Sequence, residues 1–143
     1  SGKRKILQAF GLAVLGDHDH ALLRRLDYVG VLAVEFFVFE NRLLANEMAP
    51  RVHNSGHWSI EGSITCQFEN HIRAIAGLPL GSTDSTGYAT MINFIGTMPE
   101  REKVLAVAGA SLHDYNKEPK PGRKLGHATI WSTTELKEPP SFD

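Results

Sequence analysis

Residues 29–57 read VGVLAVEFFVFENRLLANEMAPRVHNSGH, and this stretch decides the fold. Residues 29–39 are dense in β-branched and aromatic side chains, which predicts a strand. Glu40, Asn41 and Arg42 form a short polar break. Residues 43–48 are mostly apolar again until Pro50 stops them. A three-residue hairpin loop sets Phe39 against Leu43, Phe37 against Ala45 and Glu35 against Glu47. A two-residue loop instead puts Glu35 opposite Asn46, with Glu47 one step along. In both registers two carboxylates arrive side by side among apolar residues. Like charges directly opposite on a sheet are destabilising, and a buried unpaired carboxylate is costly. A bound divalent cation removes both penalties. The alternative is a different register, in which one Glu points to water.

The segment after Glu47 gathers donors. Arg51, His53, Asn54, Ser55 and His57 lie between Pro50 and Gly56. Arg offers a planar fork for carboxylate or phosphate, Asn and Ser offer neutral hydrogen bonds, and His donates or transfers a proton. This composition suits an anion site at a strand end; the competing reading is a polar loop that satisfies its own backbone. The spacing of His53 and His57 suits zinc only on a helix, which Pro50 and Gly56 oppose. A second basic group, Lys117, Lys120, Arg123 and Lys124 with His127 beyond, sits in a turn stiffened by two prolines and a glycine. It fits a phosphate, or a solvated lysine turn.

The rest of the chain frames these groups. Its 143 residues suffice for one core or two small lobes. A hydrophobic share of 42%, a charged share of 22% and a net charge of -1 mark a soluble globular protein. They argue against a general binder of nucleic acid or anionic membrane. A single cysteine, Cys66, excludes an intrachain disulfide and a cysteine-only zinc site. No apolar run reaches the roughly 18–20 residues of a membrane span. The basic start, SGKRK, leads into no secretory segment, and Ser1-Gly2 fits a remnant of tag removal.

Residues 3–15 predict a short helix, or a helix then a strand. Residues 19–26 predict a helix with Leu22, Leu23 and Leu26 on one face. The cluster Asp17, His18, Asp19 and His20 before it reads as a cap with solvated side chains rather than a metal site. Residues 58–63 read as a loop. Residues 63–77 predict the strongest helix, with Ser63 as N-cap, Gly77 just past its end, and Ile64, Phe68, Ile72 and Ile75 forming the core-facing stripe. Cys66 near that stripe reads as a small core residue. Strands are expected at 88–95, 111–115 and 124–131, with a helix at 100–107 after Pro99. The tail, KEPPSFD, is expected to be disordered.

Four segments resemble one family. LDYVGVLAVEFFV, LLANEMAPRVHNSGHWSIEG, TCQFENHIRAIAGLPLG and YNKEPKPGRKLGH look like consecutive signatures of the N5-carboxyaminoimidazole ribonucleotide synthetases, ATP-grasp ligases of purine biosynthesis. The likeness runs from about Leu26 to Ile130. NEMAPRVHNSGH followed by QFENHIRAI is specific to this family among ATP-grasp proteins, whereas a hairpin with two Glu is only superfamily-level. The resemblance implies an α+β fold: the C-terminal half of an ATP-grasp lobe (antiparallel sheet with helices), then a small β-rich C-terminal domain. The implied divisions are 1–81 for the partial ATP-grasp domain, with the match starting at about 26, 82–87 for a linker, 88–131 for the small domain and 132–143 for the tail.

It also implies a reaction in the cytoplasm. ATP phosphorylates bicarbonate to carboxyphosphate, and the carboxyl group passes to the exocyclic amine of 5-aminoimidazole ribonucleotide, leaving ADP and phosphate. By position, Glu35 and Glu47 match the magnesium-binding carboxylates, and Asn46 and Glu47 match the pair at the nucleotide. Arg51, His53 and Asn54 match residues lining the bicarbonate and aminoimidazole site, as catalytic and substrate-binding groups. Lys117 and Arg123 match the pair gripping the ribonucleotide phosphate. The implied cofactors are ATP and Mg2+, and the family is often dimeric. Nothing here matches the family's N-terminal substrate domain, its glycine-rich loop, its nucleotide lysines or its adenine-binding linker. The chain alone is therefore expected not to be a competent catalyst, because half of a cleft does not position ATP. A competing expectation is a non-catalytic module that keeps the fold and grips a phosphorylated ligand through Lys117 and Arg123. A third is another ATP-grasp carboxylase or formyl-transfer relative with a different amine acceptor, against which PGRKLGH speaks.

Overall fold

A computed structural model describes residues 11–13, 21–39 and 42–142. Among them lie six strands and four short helices: β1 (Gly11–Ala13), α1 (Ala21–Leu26), β2 (Leu32–Phe39), β3 (Arg42–Ala49), α2 (Ser59–Gly62), α3 (Gln67–Ile75), β4 (Tyr88–Ile95), α4 (Arg101–Leu105), β5 (Ala110–Asp114) and β6 (Lys124–Ser132). A single 3-10 turn, Asn54–Gly56, follows β3. The strands form two antiparallel sheets, ordered β1-β2-β3 and β4-β6-β5. The fold is α+β, as expected. Two units divide the chain: residues 1–57 with 65–82, and residues 58–64 with 83–143.

In the first unit, β2 and β3 pair with a change of register. Phe39↔Arg42, Val38↔Leu43, Phe37↔Leu44 and Phe36↔Ala45 belong to a hairpin with two residues between its strands. Beyond Phe36 the ladder shifts, so that Glu35↔Glu47, Val34↔Met48 and Ala33↔Ala49 are paired. Asn46 is the extra residue of this β-bulge. Phe37 therefore faces Leu44 and not Ala45, and Phe39 faces Arg42 and not Leu43, while Glu35 does meet Glu47.

Helix α3 corrects the expected packing. Ile64, Phe68, Ile72 and Ile75 are exposed, Ile72 by 58%. The face turned inward carries Gln67 and Asn70, both buried, with His71 accepting the Val31 N–H at 3.0 Å. Asn70 clamps Gly81 from both sides, accepting its N–H at 2.9 Å and donating to its carbonyl at 3.2 Å. Polar side chains satisfy loop backbone there, and such backbone must be paired wherever it is buried. The N-cap is Cys66, whose sulfur accepts from Glu69 N–H, because Ser63 already ends α2. Residues 58–63 thus hold a helical turn and not a loop. Gly77, at φ +66°, follows the C-cap in the left-handed conformation that glycine adopts without steric cost. In α1 Leu23 is buried, whereas Leu22 and Leu26 are nearly half exposed. The readings for residues 3–10 and 14–20 lie outside the described residues.

The second unit holds an apolar cluster. Phe94, Val104 and Ala128 are buried together, with Ile92, Met98, Ala110, Leu112 and Phe142 packed on them. The central strand β6 is buried from Leu125 to Ile130. Phe142 meets Phe94 edge to face at 5.8 Å. Within the tail expected to be disordered, Phe142 thus packs on the sheet, while Lys137, Glu138, Pro139 and Ser141 are exposed. No helix among the described residues is long and apolar enough to cross a membrane.

Candidate active site

The bulge does more than shift register. It sets both Asn46 and Glu47 opposite Glu35, and the amide of Asn46 reaches that buried carboxylate. Glu35 is 8% exposed, and its Oε2 accepts a hydrogen bond from Asn46 Nδ2 at 2.8 Å. Glu47, about half exposed, places Oε1 2.8 Å from His53 Nε2. His53 Nδ1 accepts from the Ser55 N–H, as N-cap of the 3-10 turn. That puts the ring proton on Nε2, from which it is donated to Glu47. The Ser55 hydroxyl lies 2.7 Å from Nδ1 and completes the arrangement.

The loop carrying His53 is held from below by Gln67. Gln67 Oε1 accepts the His53 N–H at 3.0 Å, and its Nε2 donates to the His53 carbonyl at 2.8 Å. The same Nε2 lies 2.7 Å from His57 Nδ1. Gly56 makes room for this: a β-carbon there would sit 2.5 Å from Gln67 Oε1. Gln67 is not among the candidates read from the sequence, where the apolar stripe is the dominant pattern of this segment. The available signal was polar: Gln67, Asn70 and His71 recur at three and four residues, marking one helical face.

Two hydrogen-bonded sets therefore sit at the bulge: Asn46 on Glu35, and Glu47, His53 and Ser55. Arg51 is exposed, and its Nη1 donates to the neighbouring Val52 carbonyl at 3.0 Å; no bond ties it to either set. Asn54 opens the 3-10 turn directly after His53, and its carbonyl accepts the His57 N–H at 3.1 Å. The His53–His57 zinc alternative fails, since both His53 ring nitrogens and His57 Nδ1 are engaged within the protein. Among the described residues no group of three or more His, Cys, Asp and Glu side chains is arranged to hold a metal. The pair that remains, two hard carboxylates on neighbouring strands, fits magnesium, which takes one or two protein carboxylates and completes its shell with phosphates and water.

Lys117 and Arg123 belong to the second unit. They sit in the turn between β5 and β6, closed by the Arg123 N–H donating to the Lys120 carbonyl at 3.0 Å. Arg123 Nη1 donates to the Glu118 carbonyl at 3.2 Å, and Lys117 Nζ lies 5.2 Å from the Tyr115 ring centroid.

A bulged acidic hairpin in an antiparallel sheet, followed by a small β unit, is the arrangement at hand, and the ATP-grasp domain family matches residues 16–68. The phosphoribosylaminoimidazole carboxylase C-terminal domain family matches residues 89–137. The chain is 59% identical over 118 residues to N5-carboxyaminoimidazole ribonucleotide synthase of Pseudomonas aeruginosa, covering 82% of this chain and 33% of that protein. Against the Escherichia coli synthase it is 47% identical over 110 residues, covering 77% of this chain and 31% of that protein. The crystal structure of the Thermus thermophilus synthetase superposes with a TM-score of 0.74 at 58% identity, over 79% of this chain and 31% of that one. The Aspergillus clavatus enzyme in complex with ADP and 5-aminoimidazole ribonucleotide superposes at 0.66 with 40% identity, over 73% of this chain and 31% of that one. The chain belongs to the N5-carboxyaminoimidazole ribonucleotide synthetase family, as its C-terminal portion. It spans about a third of the length of the curated relatives it matches.

Proposed function

We propose that this chain supplies part of the active site of an ATP-dependent carboxylating ligase of purine biosynthesis, working in the cytoplasm. In that reaction bicarbonate attacks the γ-phosphorus of ATP and releases ADP, forming carboxyphosphate. The carboxyl group then passes to the exocyclic amine of 5-aminoimidazole ribonucleotide, and phosphate leaves. The observation that carries this reading is the pairing of Glu35 with Glu47 at the bulge, in a chain of this family. ATP and magnesium are the cofactors of the reading, and the assembly is a homodimer of the intact parent.

Glu35 and Glu47 hold the cation. Bound magnesium supplies charge neutralisation on the transferring phosphoryl group. Asn46 keeps the Glu35 carboxylate oriented through its amide, leaving the side chain of Glu47 nearer to solvent and to nucleotide. His53 donates Nε2–H to Glu47 and so holds it before nucleotide arrives. When an anion binds, that donor and the neighbouring Asn54 side chain turn to the bicarbonate-derived group. Arg51, exposed and salt-bridged to no residue among those described, adds a cation for the same intermediate. Lys117 and Arg123 grip the ribonucleotide phosphate, Arg123 with a planar fork and Lys117 as a point charge. The isolated 143 residues do not turn over ATP.

The test is Glu47→Gln in the full-length parent. The amide keeps the shape of the side chain but loses the charge on the metal. ATP turnover dependent on 5-aminoimidazole ribonucleotide falls nearly to zero. Near-normal turnover would overturn the metal assignment.

A further inference from the structure

In the second unit a column of polar side chains leads up to the 115–123 turn. Glu61 Oε1 lies 2.7 Å from His113 Nε2. The His113 ring stacks on His127, centroids 4.4 Å apart and planes within 10°. The two are paired positions on β5 and β6, so the sheet register builds the stack. His127 is 1% exposed, and its Nδ1 lies 2.7 Å from the Tyr115 hydroxyl. The Tyr115 ring carries the Lys117 ammonium over its face.

Backbone geometry makes Tyr115 the last residue oriented by the sheet. Its N–H donates to the Leu125 carbonyl at 2.9 Å. The next residue, Asn116, takes φ +51° and donates its N–H to Asp114 Oδ1 at 2.8 Å. The chain turns away there, so what orients the Tyr115 side chain orients the platform under Lys117. Burying imidazole and phenol groups is unfavourable unless their hydrogen bonds are made. Here the bond of His127 Nδ1 is made toward the turn, to the Tyr115 hydroxyl. A lysine held over an aromatic face loses less rotamer freedom when it later grips an anion.

We propose that Tyr115, anchored through its hydroxyl to His127, is a positioning residue that preorganises Lys117 for the phosphate of the ribonucleotide. The proposal rests on the reading of Lys117 as a phosphate-binding cation, and its test separates the two.

The first measurement needs no ligand. In the free 143-residue chain the Lys117 ε-methylene protons carry an upfield ring-current shift from Tyr115. Tyr115→Phe keeps the ring and removes the anchor, so this shift falls by half or more. An unchanged shift overturns the positioning role. The second is isothermal titration of the same chain with 5-aminoimidazole ribonucleotide. Tyr115→Phe weakens binding about three- to tenfold, the range expected from one net hydrogen bond. Lys117→Ala weakens it further, and adding Tyr115→Phe to Lys117→Ala changes nothing more. Additive losses mean general loosening of the turn and overturn the proposal. Unaltered affinity in Lys117→Ala, or no binding by the wild type, overturns the phosphate reading, while the ligand-free shift still decides the role of Tyr115.

Discussion

Replacing Gln67 by Leu probes the support beneath the candidate site. The substitution keeps roughly the volume of the side chain and removes three polar contacts: His53 N–H to Oε1, Nε2 to the His53 carbonyl, and Nε2 to His57 Nδ1. Each net hydrogen bond contributes about 0.5–1.5 kcal/mol, giving a total of about 1.5–4.5 kcal/mol. Gln67 is only 1% exposed, so water does not replace the lost partners and the upper part of the range applies. The assay is native-state hydrogen exchange at the His53 amide, whose proton points at Gln67. At about 1.4 kcal/mol per factor of ten, exchange accelerates by about 10- to 1000-fold. Gln67→Glu is the companion variant. Its carboxylate still accepts from the His53 N–H but cannot donate to the His53 carbonyl, and it buries a charge. Exchange accelerates at least as much as in Gln67→Leu. A His53 rate within about threefold of wild type in Gln67→Leu, below the expected loss, would refute the clamp.

Two further substitutions contrast the exposed stripe with the core. Ile72→Gln changes the stability of the chain in urea by no more than about 0.5 kcal/mol, as for surface positions generally, because Ile72 is already in solvent. A loss of core size would show that the stripe is packed. Leu125→Ala, at a position 1% exposed, costs about 2–5 kcal/mol in the same titration; a midpoint matching wild type would contradict its burial.

The hairpin was legible because residues 29–39 and Pro50 leave little choice of element. The pairing of Glu35 with Glu47 was also anticipated, yet the assumed three-residue loop is not how it arises. The outer rungs follow the two-residue register, and the bulge at Asn46 restores the acidic pair. No residue type announces such a bulge, since Asn46 is neither Gly nor Pro. Helix α3 misled for a physical reason. Periodicity identifies two faces, and the usual rule sends the apolar one inward. Here the polar face is buried because three loops must have their backbone groups satisfied, at Val31, at His53 and at Gly81. The apolar stripe is left at the surface: Ile64, Ile72 and Ile75 are more than half exposed, and Phe68 meets the His57 ring, centroids 5.2 Å apart. The column from Glu61 to Tyr115 was not legible at all. Its members are far apart in sequence, and only the β5–β6 register brings His113 onto His127.

The bulge makes Asn46 an expendable letter in the hairpin. If it were deleted, Ala45 would still meet Phe36 and Glu47 would still meet Glu35, because removing the extra residue brings the pairs beyond the bulge into the two-residue register of the outer rungs. The deletion changes one thing, the amide that donates to Glu35. Most single-residue deletions in a strand turn each following side chain to the opposite face. This one leaves Met48 and Ala49 opposite Val34 and Ala33, which cross-strand proton contacts would report directly. Shortening the strand at Asn46 thus separates the spacing of the two carboxylates from the hydrogen bond that orients one of them.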